Sequence, residues 1–413
     1  MRSTLRLNRR GFLVAVLGGG AALLAACAAE MVRTASPSGS GTPPATSSPL
    51  PTSSAQPTPA EVGLEAKVGQ MLLVGFRGTS PETATQALDD IHSRSLGGVV
   101  LFSRDQPSGD PVRNIVSPGQ LAALTGALQS AAGESEAALP LIVAVDEEGG
   151  EVARLDPAHG FPDTESAAAL GERNDVDYTR AAGRRIATTL RDAGINLNLA
   201  PVVDLDVNPD NPIIGALDRS FGADPELVTS QARAFINGHR QVGVLTTLKH
   251  FPGHGSSTTD SHLGVVDVTD TWSPVELGPY RRLIPAGLAD SILTAHVFNA
   301  QLDPIHPATL SSATIDGLLR GELGYDGLVI SDDMQMSAIR DAYGYADAVR
   351  LALLAGVDML TIANQQVFEA HIVERTIEIV LGLVADGQLS EARIDESWQR
   401  IGSLKARLAA AAV

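Results

Sequence analysis

The 413-residue chain is poor in positive charge, in cysteine and in lysine. Its 30 lysines and arginines are set against 48 aspartates and glutamates, a formal net charge of -18 with a pI near 4.8, so it lacks the basic face a nucleic-acid partner would need. The single cysteine, Cys27, excludes a disulfide framework and any thiolate metal cluster. Only Lys67, Lys249 and Lys405 are lysines, so a lysine among polar residues stands out against a background of arginine. Two phosphate signatures are also missing: no strand is followed by a Gly-rich loop ending in Gly-Lys-Ser/Thr, and no Gly-x-Gly-x-x-Gly opens a helix. There is no internal repeat of solenoid period. Apolar material is plentiful, with 44% hydrophobic against 19% charged residues, enough for a large buried core and too much for a disordered chain.

Cys27 is explained by the N-terminus. Arg2, Arg6, Arg9 and Arg10 precede an uncharged apolar run over residues 11–26, too short to span a bilayer comfortably and followed by small residues, the pattern of a secretory signal. The run closes Leu24-Ala25-Ala26-Cys27, which resembles the lipobox of bacterial lipoproteins and implies that Cys27 is lipidated and becomes the mature first residue. Asn8-Arg9-Arg10-Gly11-Phe12-Leu13 resembles a twin-arginine export signal. Removing residues 1–26, which hold four arginines and no acids, takes the charge from -18 to -22. Residues 27–60 are then the lipidated cysteine and a Ser/Thr/Pro-rich stretch with hardly an aliphatic anchor, expected to be a disordered tether.

From residue 61 to 413 short apolar runs alternate with segments of helical periodicity, the pattern of parallel strands joined by helices. The runs are 71–76, 98–102, 141–146, 198–204, 244–250, 291–296, 327–332 and 357–362, with helices expected over 175–193, 225–242, 343–354 and 395–408. Eight such units predict a single (β/α)8 TIM barrel domain; a doubly wound open sheet is the alternative. Asp146, Asp204, Lys249, His250, His296 and Asp332 all fall at the C-terminal ends of their runs, where barrels build their sites.

The densest polar feature is Lys249-His250-Phe251-Pro252-Gly253-His254-Gly255, followed by Asp260-Ser261-His262. Asp146-Glu147-Glu148-Gly149-Gly150-Glu151-Val152-Ala153-Arg154, Asp218-Arg219-Ser220-Phe221-Gly222 and Val329-Ile330-Ser331-Asp332-Asp333-Met334-Gln335-Met336 are the other motifs. In this order they resemble those of the glycoside hydrolase family 3 β-N-acetylhexosaminidases of the NagZ type, over nearly all of residues 61–413. Glu147 stands where Gln is common, and Ser256 where an acid often follows the Pro-Gly-His-Gly string. The resemblance implies Asp332 as nucleophile, Asp260 and His262 as the acid/base dyad, and an N-acetylglucosamine ring held among Asp146, Arg154, Arg219, Lys249 and His250.

The residue chemistry agrees with that assignment. A retaining glycosidase needs a carboxylate on one face of the anomeric carbon and a proton donor at the leaving oxygen. Asp332 closes an apolar strand and points into the barrel mouth, with Asp333 alternating away. Asp260 can accept the Nδ1 proton of His262, fixing its tautomer and stabilising its cation. Asp146 can accept from adjacent sugar hydroxyls while Arg154, Arg219, Lys249 and His250 donate. His254 is expected to shape the loop; His296 and Asp204 are left outside the site.

Three other functions compete. Phosphate in place of water at the glycosyl-enzyme would make a phosphorylase, a choice a neutral histidine acid/base leaves open. A metal-dependent barrel hydrolase is disfavoured because the first strand has no His-x-His pair. A non-catalytic sugar-binding lipoprotein is the third. The expectation is therefore an exported, membrane-anchored lipoprotein, a monomeric retaining exo-β-N-acetylglucosaminidase acting on muropeptides in cell-wall turnover. It needs no cofactor or metal, has no nucleic-acid partner, and meets the membrane only through Cys27.

Overall fold

The computed structural model describes residues 62–260 and 264–411. The expected export segment, Cys27 and the linker lie outside them, as does His262.

The strands are β1 Leu72–Gly75, β2 Gly98–Val100, β3 Ile142–Val145, β4 Leu197–Asn198, β5 Leu245–Phe251, β6 Val266–Asp267, β7 Ser291–Thr294, β8 Val297–Phe298, β9 Leu328–Ile330 and β10 Leu360–Ile362. Eight form one parallel sheet in the order β10-β1-β2-β3-β4-β5-β7-β9. The Ile330–Met359 bridge and the 2.9 Å bond from Ser331 N–H to Met359 O join β9 to β10 and complete the ring. This closure excludes the open doubly wound sheet. Every residue of the eight strands is buried, because helices cover the outside and side chains fill the inside. That double burial explains why the strands read as unbroken apolar runs rather than as alternation.

The helices follow from spacing and caps. Val176–Asp192 buries Thr179, Ala182, Gly183, Ile186, Ala187 and Leu190, one stripe at helical spacing, and starts where Asp175 accepts the N–H groups of Asp177 and Tyr178. Pro225–Arg240 starts with Asp224 as cap and Pro225 in its first turn. The two helices pack closely through Gly183, where a Cβ would sit 2.6 Å from Phe235 O. Burial of side chains such as Ile186 and Leu190 contributes about 1.5–3 kcal/mol each, so a bulky residue at 183, which separates these faces, is the change that breaks the pair.

Three details depart from the sequence pattern. The helix expected over 343–354 is present as Tyr345–Ala355, but Gly344, at φ 74°, separates it from a further short helix, Ser337–Tyr343, that the spacing did not show. The run 198–204 is regular strand only to Asn198, because Pro201 has no N–H for the ladder; the chain returns to β5 through the Val202–Lys249 bridge. Strands β6 and β8 make an unexpected parallel pair outside the barrel.

At the floor, Asp290 and Asp358 are buried under arginines. Asp358 accepts from Arg320 at 2.8 Å, Arg400 at 3.0 Å, Ser397 at 3.0 Å and the Val329 N–H at 3.0 Å. Lys405 on the last helix, Glu391–Ala411, donates to Gln70 Oε1 at 2.6 Å and Gly97 O at 2.8 Å, and burial pushes its ammonium down to about 7. These contacts tie the C-terminal helix to the strand starts.

Candidate active site

The opposite end of the barrel opens into a cavity of about 840 Å³. It is lined by Asp146, Arg154, Arg219, Lys249, His250, Asp260 and Asp332, so all seven described candidates meet there although they come from five segments. His262 lies outside the described residues, and with it the expected pairing to Asp260.

Strand β3 delivers Asp146 and then turns sharply. Gly149, at φ 96°, is required in the turn, since a Cβ would lie 2.1 Å from Glu165 O. Strand β5 delivers both Lys249 and His250. Consecutive strand residues normally face opposite sides, but the β5–β7 register slips between Leu248 and Phe251, and that irregularity lets both line the mouth.

Glu148 organises the charges. It is buried, and its carboxylate takes Arg219 in a fork, Nε to Oε2 and Nη2 to Oε1 at 2.8 Å each, while Lys249 Nζ lies 2.7 Å from Oε1. Burial alone would raise its pKa, yet the Arg219 and Lys249 charges hold the carboxyl well below the usual range and the group ionised. Lys249 Nζ also donates to Asp146 Oδ1 at 2.6 Å. Arg219 Nη1 donates to Ile213 O at 2.7 Å, and Nη2 lies 3.4 Å from His250 Nε2. An ammonium has three donors and a guanidinium five, so one hydrogen on Lys249 and one on Arg219 Nη1 are left for a ligand.

Asp204 sets the histidines. Its Oδ2 is 2.6 Å from His250 Nδ1, and its oxygens accept the backbone N–H groups of His250 at 3.2 Å and His254 at 2.8 Å. Burial opposes its ionisation, and the His250 charge and hydrogen bond overcome it, holding the carboxyl below its usual value. Nδ1 of His250 is thereby occupied and Nε2 faces the cavity side with Arg219. His254 Nδ1 lies 2.6 Å from Ser257 Oγ, and burial, then the His250 charge, pushes the ring down to about 4. His254 shapes the loop as expected. Gly255 permits the loop to lie on Leu205, where a Cβ would be 1.8 Å from the carbonyl oxygen.

Asp332 follows β9 and accepts the Asp333 N–H at Oδ1, 2.8 Å away. Asp333 is buried, and its Oδ1 accepts the N–H groups of Gln335 at 3.1 Å and Ala363 at 3.0 Å, fastening the segment to β10. Neither aspartate caps the helix Ser337–Tyr343, whose N-cap is Met336. His296 is buried with Nδ1 2.8 Å from Thr309 Oγ1 and Nε2 2.9 Å from Asp333 O, so it supports that segment from behind.

Sequence reasoning passed over Glu148 and Asp204, the two carboxylates that orient the Arg219–Lys249 pair and the histidines. Asp204 carried a signal, its place at a run end; Glu148 carried none beyond lying between Asp146 and Arg154.

The arrangement can bind a polyhydroxylated ring through charge-assisted hydrogen bonds and present a carboxylate to one face of it. Comparison with known proteins agrees. Residues 63–404 match the Glycosyl hydrolase family 3 N terminal domain. The chain is 33% identical over 373 residues to a Beta-hexosaminidase A of Pseudoalteromonas piscicida, covering 83% of this chain and 60% of that one. A solved glycoside hydrolase family 3 beta-N-acetylglucosaminidase from Paenibacillus superposes with a TM-score of 0.77 at 37% identity, over 84% of this chain and 63% of that chain. A Beta-N-acetylhexosaminidase from Beutenbergia cavernae gives a TM-score of 0.75 at 32% identity, over 84% of this chain and 99% of that chain. The chain therefore spans less than two thirds of the first two relatives and almost the whole of the third. On the barrel, the cavity and the match across nearly all of the described residues, the chain belongs to glycosyl hydrolase family 3, the glycoside hydrolases.

Proposed function

We propose that the protein is a retaining exo-β-N-acetylglucosaminidase of the NagZ type that removes terminal N-acetylglucosamine from peptidoglycan fragments by double displacement. The observation that carries the reading is that one cavity holds the strand-end carboxylate Asp332 together with the Asp146–Lys249–Glu148–Arg219 ion network and Asp260. The β-hexosaminidase and β-N-acetylglucosaminidase names of its relatives support the glycone.

On this reading Asp146 accepts from ring hydroxyls, while the remaining Lys249 and Arg219 hydrogens and Arg154 hold the sugar, with the His250 ring beside them. Asp332 attacks the anomeric carbon and forms a glycosyl-aspartate as the leaving oxygen takes a proton from His262, whose cationic form Asp260 stabilises. His262 then removes a proton from water, and the water displaces Asp332 with overall retention. The enzyme works outside the cytoplasmic membrane, as a monomer anchored by the lipid on Cys27, where muropeptides are its substrates. A Cys27→Ser protein is expected in the soluble extracytoplasmic fraction; its retention in the membrane would remove the anchor.

The test is proton NMR of p-nitrophenyl N-acetyl-β-D-glucosaminide turnover, with and without phosphate. First appearance of β-N-acetylglucosamine in both samples supports retaining hydrolysis. Sugar 1-phosphate makes the protein a phosphorylase, and no turnover in either overturns the glycone.

A further inference from the structure

Glu147 and Glu148 are adjacent, both buried, and treated in opposite ways. Glu148 is saturated with cations. Glu147 uses one oxygen: Oε2 accepts the backbone N–H groups of Arg154 at 2.8 Å and Leu155 at 2.9 Å, while Oε1 is buried with no hydrogen-bond partner among the described residues. Arg154 Nε on the same turn is likewise buried and unpartnered. Among the described residues no carboxylate lies within ion-pair distance of Arg154. The turn therefore carries two buried orphan atoms of opposite character.

The Glu147 backbone is fixed from behind. Its N–H donates to Asn198 Oδ1 at 3.1 Å, and its carbonyl accepts Asn198 Nδ2 at 2.9 Å. Asn198 Nδ2 also lies 3.0 Å from His239 Nε2, and His239 Nδ1 lies 3.0 Å from Phe235 O, an arrangement satisfied by the neutral ring protonated at Nδ1. Burial pushes His239 down to about 4, which keeps that ring neutral. The charged groups acting on the Glu147 carboxyl are Arg154, which favours its ionisation, and Asp156, which opposes it; from the helix Pro225–Arg240 the neutral His239 approaches through Asn198. Burial outweighs Arg154 and the two N–H groups and pushes the carboxyl up to about 7.

We infer that Glu147 is a proton-dependent positioning residue for the sugar. As the neutral acid it sets the Arg154 backbone and leaves the guanidinium to the ligand, and once ionised it competes with the ligand for that guanidinium. The inference rests on the proposed sugar site. Engagement of Arg154 by a sugar takes from ionised Glu147 its opposite charge, so binding and protonation favour each other. Affinity then falls as pH rises through neutrality, and binding near neutral pH takes up a fraction of a proton.

The experiment is calorimetric titration of the mature chain with N-acetylglucosamine at about pH 5.5 and about pH 8.5, each in two buffers of different ionisation enthalpy. Affinity is expected to be about fivefold or more weaker at the higher pH, with proton uptake between these limits. Glu147→Gln abolishes both the pH dependence and the proton uptake; Arg154→Gln does so too and carries the test should the first variant fail to fold. A Glu147→Gln protein that keeps the wild-type slope overturns the inference, and so does pH-independent binding by the wild type. Absence of binding at any pH removes the glycone reading itself, and the inference with it.

Discussion

At the floor of the barrel Asp358 is enclosed by Arg320, Arg393 and Arg400, and at the mouth Glu148 is enclosed by Arg219 and Lys249. Both carboxylates are buried, but their cations differ in what else they touch. Floor arginines donate to the chain again, Arg320 to Tyr325 O and Gly327 O, and Arg393 to Leu353 O and Val357 O. Mouth cations meet Asp146 and Ile213 O and still keep a donor each beside a cavity. The same ion chemistry locks helices to strands where its donors are used up and leaves donors open to a ligand where they are not.

The comparison can be broken from either end. Asp332→Asn should lower turnover by about ten-thousandfold or more with the melting temperature unchanged, since its carboxylate is at the mouth and holds no floor contact. A parallel loss of stability would make Asp332 structural. Asp358→Ala should do the reverse, costing about 3–5 kcal/mol in chemical denaturation because three guanidiniums lose their counter-charge, with kcat/KM of the folded enzyme unaltered. Loss of activity before unfolding would show that floor and mouth are coupled.

Glu148→Gln lies between them. It keeps the shape but removes the charge that holds Arg219 and Lys249, and kcat/KM is expected to fall by about tenfold to a hundredfold. A last effect, confined to stability and to alkaline pH, is at Lys405. Its ordinary value is 10.5 and burial pushes it down to about 7, so between these values the unfolded chain holds the extra proton and stability rises with pH. Lys405→Met should flatten that rise, by up to about 1.4 kcal/mol per pH unit, in unfolding measured across the window. An unchanged slope would mean that the buried ammonium keeps its proton.

The barrel was legible because buried parallel strands are apolar on both faces, so eight runs stood out with their polar ends on one side. The candidate residues were legible because they cluster in unusual strings, such as Lys249 to Gly255. The short helix Ser337–Tyr343 ahead of Gly344 was not, since its two turns bury only Ala338 and Ile339 and leave no stripe long enough to read. Nor was the part played by Glu148. Two consecutive glutamates look alike in a chain, and nothing local says that one will face Arg219 from a segment 71 residues away while the other turns into its own loop.

The chain by itself therefore determined the order of strands and helices, the end of the barrel that bears the polar residues, and the chemical types gathered there. These depend on periodicity and composition, which are local. Tertiary structure alone decided which carboxylate is held ionised, which cation keeps a free donor, and that Glu147 turns into its own loop while Glu148 meets Arg219. Those properties depend on burial and on distances between segments far apart in the chain, and the free energy of a charge is set by the partners that surround it.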